Sequence, residues 1–148
     1  TNGAMGYGVP SGVAAKVALP DKFVVSVSGD GCFLMNGQEV STAIQYNLKI
    51  LFIVFDNGMY GTIRMHQERD YPEHVYGTDL MNPDFAALAR AYGLYAETIN
   101  STADIKDAVG RCIEKDVASL IHIKVDPEAI TTRTTLTAIR KNALANSK

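Results

Sequence analysis

Two short polar segments in this chain place a carboxylate, an amide and several glycines directly after an apolar run. Gly29-Asp30-Gly31-Cys32 follows Phe23-Val24-Val25-Ser26-Val27-Ser28, and Asp56-Asn57-Gly58-Met59-Tyr60-Gly61 follows Ile50-Leu51-Phe52-Ile53-Val54-Phe55. A carboxylate, an amide oxygen and bare backbone N–H groups suit Mg2+ carrying phosphates. Magnesium takes one or two protein carboxylates and completes its octahedron with phosphate oxygen and water. The glycines beside Asp30 let backbone amides approach an anion closely, and a helix starting near Phe33 would aim its N-terminus there. Alone, Asp-Gly after a strand is an ordinary turn signal. The second strand ending in Asp-Asn-Gly gives the pair its weight.

The elements needed to bring those segments together are legible as periodicity. The two apolar runs are too short for helices and rich in β-branched residues, which predicts strands. Leu120 to Val125 and a weaker run around Tyr95 to Ile99 complete the set. Near-continuous apolar strands point to a parallel sheet covered on both faces. Helical spacing is expected over Val9 to Leu19, over Phe33 to Tyr46, over Pro83 to Tyr92 with Asn82 as N-cap and Gly93 as stop, and over Ala103 to Glu114. The alternation predicts a doubly wound α/β fold with a mostly parallel sheet and helices on both faces. In such sheets ligands sit beyond the carboxyl ends of the strands. Gly58 to Met81 shows no clean period and is expected to be a long functional loop. Residues 127–148 form a Thr- and Ala-rich tail, expected either to dock as a final helix or to fray.

Composition narrows the classes. The chain has 148 residues, 47% hydrophobic and 20% charged, which fits one ordinary domain and excludes a disordered or coiled-coil chain. Fourteen basic against sixteen acidic residues argue against a nucleic-acid or anionic-membrane partner. Two cysteines and no charged, apolar leader make a reducing cytoplasm the expected location. The opening Thr-Asn-Gly, without an initiator Met, leads us to expect a piece of something longer.

Gly29-Asp30-Gly31, then a helix, a strand and Asn57, resembles the motif of thiamine diphosphate-dependent enzymes, the family of acetolactate synthases and pyruvate decarboxylases. Gly3-Ala4-Met5-Gly6-Tyr7-Gly8-Val9-Pro10 is similar to the family's glycine-rich segment before that motif. Asn82-Pro83-Asp84-Phe85 with Leu88-Ala89 and Gly93 resembles the acetolactate synthase branch. The likeness runs from about residue 2 to residue 126, in order and spacing.

The resemblance implies roles. Asp30, the Asn57 side chain and the Met59 carbonyl would bind Mg2+. Gly29, Gly31 and Cys32, with the turn at Tyr60 and Gly61, would contact the diphosphate. Met5 would prop the cofactor in its bent form, so that its amino group reaches the thiazolium C2 proton. The glutamate that activates the pyrimidine would lie on a separate domain supplied by a partner subunit. On this likeness the chain is a diphosphate-binding domain lacking its first strand and helix, and inactive alone. The parent would be a homo-oligomer acting on a small 2-oxoacid, with any FAD held elsewhere. His66 stands where acetolactate synthases carry a tryptophan shaping the substrate pocket, so it is a pocket candidate and a departure from that branch.

Other residues have plainer readings. His74 is expected to be solvated, His122 to be a hydrogen-bonded sheet residue, and Cys112 to be a small core residue. Arg64, Glu68, Arg69 and Asp70 read as a solvated charged face. Gly3, Gly6 and Gly8 have the wrong order for a dinucleotide fingerprint, and no P-loop sequence occurs. Three functions follow: the cofactor domain of a 2-oxoacid carboligase or, next, of a non-oxidative decarboxylase; a scaffold that lost the cofactor; and a stand-alone phosphate- or nucleotide-binding module.

Overall fold

A computed structural model describes residues 3–146. In chain order its elements are α1 (Gly8–Ala18), β1 (Val24–Gly29), α2 (Asp30–Asn36), a 3-10 turn (Gly37–Glu39), α3 (Val40–Gln45), β2 (Ile50–Asp56) and α4 (Gly61–Asp70). Then follow α5 (Phe85–Ala91), β3 (Tyr95–Ile99), a 3-10 turn (Thr102–Asp104), α6 (Ile105–Glu114), β4 (Ser119–Lys124) and α7 (Leu136–Asn146). The chain divides into two compact units: residues 1–56 with 82–124, and residues 57–81 with 125–148.

The first unit is built on a four-stranded sheet in the order β1-β2-β4-β3, every pair parallel. It has the doubly wound α/β architecture expected from the alternating periods. Side chains alternate across a strand, so Ser26, Ser28, Phe52, Val54, Leu120 and His122 share one face. That face packs under α1, α2, α3 and α5 in one core containing Val9, Phe33, Val40, Ile50 and Phe85. Phe33 meets Phe85 edge to face at 5.4 Å between centroids. On the other face α6 buries Ala108 and Cys112 near Ile121 and Ile123, whereas Val25, Val27 and Phe55 remain exposed. Close approach needs small residues on α1: a Cβ on Gly12 would stand 2.9 Å from the Ser26 Cβ.

Three expected boundaries shift in this unit. The helix foreseen from Phe33 to Tyr46 begins at Asp30 and is broken by the 3-10 turn at Gly37–Glu39. Gly37 lies against the Phe33 ring, where a Cβ would come within 2.5 Å, so the chain tightens there. The helix before Gly93 is capped by Asp84, whose carboxylate accepts from the Ala87 amide, instead of by Asn82. The helix foreseen from Ala103 starts as a 3-10 turn, with Ser101 accepting from the Ala103 amide, and turns α-helical at Ile105.

The second unit corrects a larger expectation. Gly58 to Met81 is not one loop, because Gly61–Asp70 forms α4. The following segment folds back: the Tyr60 amide donates to the Thr78 carbonyl and the Leu80 amide to the Gly58 carbonyl. α4 packs against α7. The cluster read as a solvated face is only partly so, because Glu68 is fully buried. Its carboxylate accepts from Arg64 at 3.0 Å and from both Nε and Nη2 of Arg140. Arg69 and Asp70 pair with each other at the surface. Among the described residues no helix is long and apolar enough to cross a membrane.

Candidate functional site

The register of the parallel strands decides what meets at the carboxyl end of the sheet. Gly29 is paired with Phe55, Val54 with His122, and Asp56 with Lys124. Asp30, Asp56, His122 and Lys124 therefore fall on the same side of the sheet at three neighbouring strand ends. Asp30 is only 3% exposed and Asp56 only 4%. Two carboxylates this deep need donors, since a buried unpaired charge is very costly.

Asn82 supplies one donor to both. Its Nδ2 donates to Asp30 Oδ2 and to Asp56 Oδ1, each at 2.7 Å. The Gly31 amide donates to Asp30 Oδ1 at 2.9 Å. Asp56 is further braced by Lys124 Nζ at 2.5 Å and by His122 Nε2 at 2.8 Å. A carboxylate only accepts, so the imidazole hydrogen on Nε2 faces Asp56. Burial alone would push the Asp56 carboxyl up, but hydrogen bonds from Lys124, His122 and Asn82 outweigh it and hold it well below the usual carboxylate range. The His122 ring also stacks edge-on against Phe85 at 5.1 Å, in agreement with its expected role as a bonded sheet residue.

Asn82 Oδ1 is buried and accepts no hydrogen bond. Both amide hydrogens are spent on carboxylates, which fixes the amide's orientation and leaves the acceptor outward from the pair. Such an orphan costs about 1–3 kcal/mol.

The other expected site residues divide between the units. Met5, Gly29, Asp30, Gly31 and Cys32 belong to the first. Met5 and Gly29 are exposed, Gly31 is buried and Cys32 half-buried. Asn57, Met59, Tyr60, Gly61 and His66 belong to the second. There Asn57 Oδ1 accepts from the Met59 amide at 3.2 Å. A Cβ on Gly61 would stand 2.8 Å from Asn57 Nδ2, so a glycine is what leaves that amide its place. Gly58, at φ +72°, makes the left-handed turn between them. His66 and His74 are exposed. Cys112 is buried, and desolvation with nearby Glu97 pushes its thiol up to about 11, which makes it inert.

Taken residue by residue within each unit, the donor types are ones that magnesium takes. Among the described residues no group of three or more His, Cys, Asp and Glu side chains is gathered for a metal. A carboxylate, an amide oxygen and a carbonyl are instead hard oxygen donors of the kind that hold Mg2+ together with phosphate. The bridging role of Asn82 was not legible from sequence, because Asn-Pro before an apolar helix reads as a cap. Lys124 was missed as well, at the end of a strand read as core.

The family described as "Thiamine pyrophosphate enzyme, C-terminal TPP binding domain" matches residues 1–123, and the chain belongs to it. It is 37% identical over 128 residues to a probable acetolactate synthase large subunit of Methanococcus aeolicus, covering 86% of this chain and 21% of that protein. Over 125 residues it is 36% identical to the acetolactate synthase isozyme 2 large subunit of Escherichia coli, covering 84% of this chain and 23% of that one. A third relative is the 3D-(3,5/4)-trihydroxycyclohexane-1,2-dione hydrolase of Bacillus subtilis, 37% identical over 134 residues, covering 86% of this chain and 21% of that enzyme. The chain thus spans about a fifth of the length of the curated relatives it matches.

Proposed function

We propose that this chain binds the magnesium diphosphate end of thiamine diphosphate within an acetolactate synthase-like 2-oxoacid carboligase. The observation that carries the reading is the buried Asp30 carboxylate at the carboxyl end of β1, held by the Gly31 amide and Asn82. In this reading Asp30, the Asn57 side-chain oxygen and the Met59 carbonyl take Mg2+. The Cys32 amide meets the diphosphate, together with the turn at Tyr60 and Gly61, while the Gly31 amide is given to Asp30 Oδ1 and Gly29 keeps the approach clear. Met5 offers an apolar support for the rings. The cofactor, once bound, supplies the electron sink that lets a 2-oxoacid lose CO2. What this chain's own residues do is orient and anchor: fixing the diphosphate holds the reactive end at one place relative to the substrate. The activating glutamate, a pyrimidine-binding domain and the dimeric or larger assembly belong to the intact protein, in the cytoplasm. FAD, if the intact protein uses it, is bound off this chain.

A second reading has its own support. The Bacillus subtilis hydrolase is 37% identical and covers 86% of this chain, the same as the Methanococcus aeolicus relative, and with His66 departing from the acetolactate synthase pocket this supports cleavage of a cyclic dione as the alternative. Supplying the intact protein with thiamine diphosphate, Mg2+ and pyruvate separates them. Release of CO2 with a two-molecule condensation product supports the carboligase, and CO2 with free aldehyde supports a decarboxylase. An inert response to 2-oxoacids, with ring opening of a cyclic 1,2-dione, overturns both in favour of hydrolysis. No turnover and no cofactor binding would return the chain to the scaffold reading.

A further inference from the structure

Asn82 spends both hydrogens of one nitrogen on two acidic side chains at the ends of different strands. Asp30 follows β1 and Asp56 closes β2, and the amide reaches them from the segment leading into α5. Its oxygen gains nothing in return. A residue serving only to start a helix would place its oxygen on a backbone amide, and here Asp84 already does that. Asp56, in turn, is held from the far side by His122 and Lys124. Asp30 Oδ2 is therefore tied through one amide to a carboxylate that is fixed by two further side chains.

We infer that Asn82 is a positioning residue for Asp30: it clamps one carboxylate oxygen against the Asp56–His122–Lys124 brace and so sets the direction in which Asp30 presents itself to a divalent cation. The inference rests on the proposed role of Asp30 as a magnesium ligand. Asn82 itself touches neither metal nor substrate. It acts by sparing Asp30 the rotamer freedom that metal binding would otherwise have to remove, and by screening it from Asp56. Groups that orient a metal ligand in this way typically change metal affinity by about 10–100-fold when removed.

Mn2+ serves as the probe, titrated by electron paramagnetic resonance into the intact protein at fixed thiamine diphosphate. Asn82→Ala is expected to weaken Mn2+ about 10–100-fold, with Asn82→Gln, which keeps the NH2 donor, falling between it and the parent. Saturating Mn2+ should bring turnover back in both variants. Parental Mn2+ affinity in Asn82→Ala overturns the inference. Equal losses in the two variants, tracking a lowered melting temperature of the metal-free protein, also overturn it, because they mark a merely structural residue. Should Asn82→Ala fail to fold, Asn82→Gln decides alone: weaker Mn2+ at an unchanged melting temperature supports the inference, and unchanged affinity rejects it. Asp30→Asn separates the two layers. If it keeps parental Mn2+ affinity, the metal reading itself is wrong; if it loses Mn2+ while Asn82→Ala does not, only the role of Asn82 falls.

Discussion

Glu68 and Gly61 show how much single positions carry in the second unit. Glu68 has no exposure and three bonds from two guanidinium groups. Glu68→Gln removes the charge but keeps the shape, leaving Arg140 facing a neutral amide and Arg64 paired with Asp79 alone. The expected cost is about 1.5–3 kcal/mol, the range for hydrogen bonds to charged groups, read by urea denaturation at pH 7. Gly61→Ala forces a Cβ to within 2.8 Å of both Asn57 Nδ2 and Ile130 Cδ1. Both are free ends of side chains that can swing aside, so the stability cost should stay within about 0.5–1 kcal/mol, but because Asn57 shifts, affinity for the magnesium–diphosphate pair should fall under the proposed function. An unchanged affinity by calorimetry would show that the Asn57 amide needs no fixed place. Asp30 was legible from sequence because a polar residue directly after a short apolar run marks a strand end. Asn82 was not, since its partners lie 26 and 52 positions away and only the fold reveals them.

At the level of elements, the strands were the most readable part. Each is short, apolar and bounded by glycine or polar residues, and that pattern has few competing explanations. Helix limits were less so. α2 and α3 share one apolar stripe, so the break at Gly37 is visible only once Phe33 is seen to occupy the space beside it. α4 was invisible because its sequence, Gly61-Thr62-Ile63-Arg64-Met65-His66-Gln67-Glu68-Arg69-Asp70, is mostly polar, and its one fully buried residue is a charged Glu68. Hydrophobic periodicity cannot find a helix whose inward face is an ion cluster. The α1–β1 contact gives a test at this scale. Gly12→Ala, with its Cβ 2.9 Å from that of Ser26, should wedge helix from strand and cost about 1–3 kcal/mol. A stability within a few tenths of a kcal/mol of the parent would mean the contact can relax freely.

For the molecule as a whole, acid is the informative variable. The Arg140 hydrogen bonds, opposed by burial and aided by Arg64, lower the Glu68 carboxyl from 4.5 to about 2. A depressed folded-state value means the stabilisation is fully present above about 4.5 and is lost as the pH falls from there towards 2. Asp56 acts in the same direction and extends the loss to lower pH. Unfolding free energy measured from pH 6 down to pH 2.5 should therefore hold level to about pH 4.5 and fall below it, and Glu68→Gln should flatten that fall. A slope identical in the two proteins would remove Glu68 from the explanation.

The central proposal is that a buried aspartate and, in the second unit, a turn asparagine both take part in binding a magnesium-borne diphosphate. It is tested most directly by isothermal titration of the intact protein with thiamine diphosphate in the presence of Mg2+. We expect saturable heat that disappears in Asp30→Ala and in Asn57→Ala while both variants keep their circular dichroism spectrum. Undiminished binding in either folded variant would contradict the account.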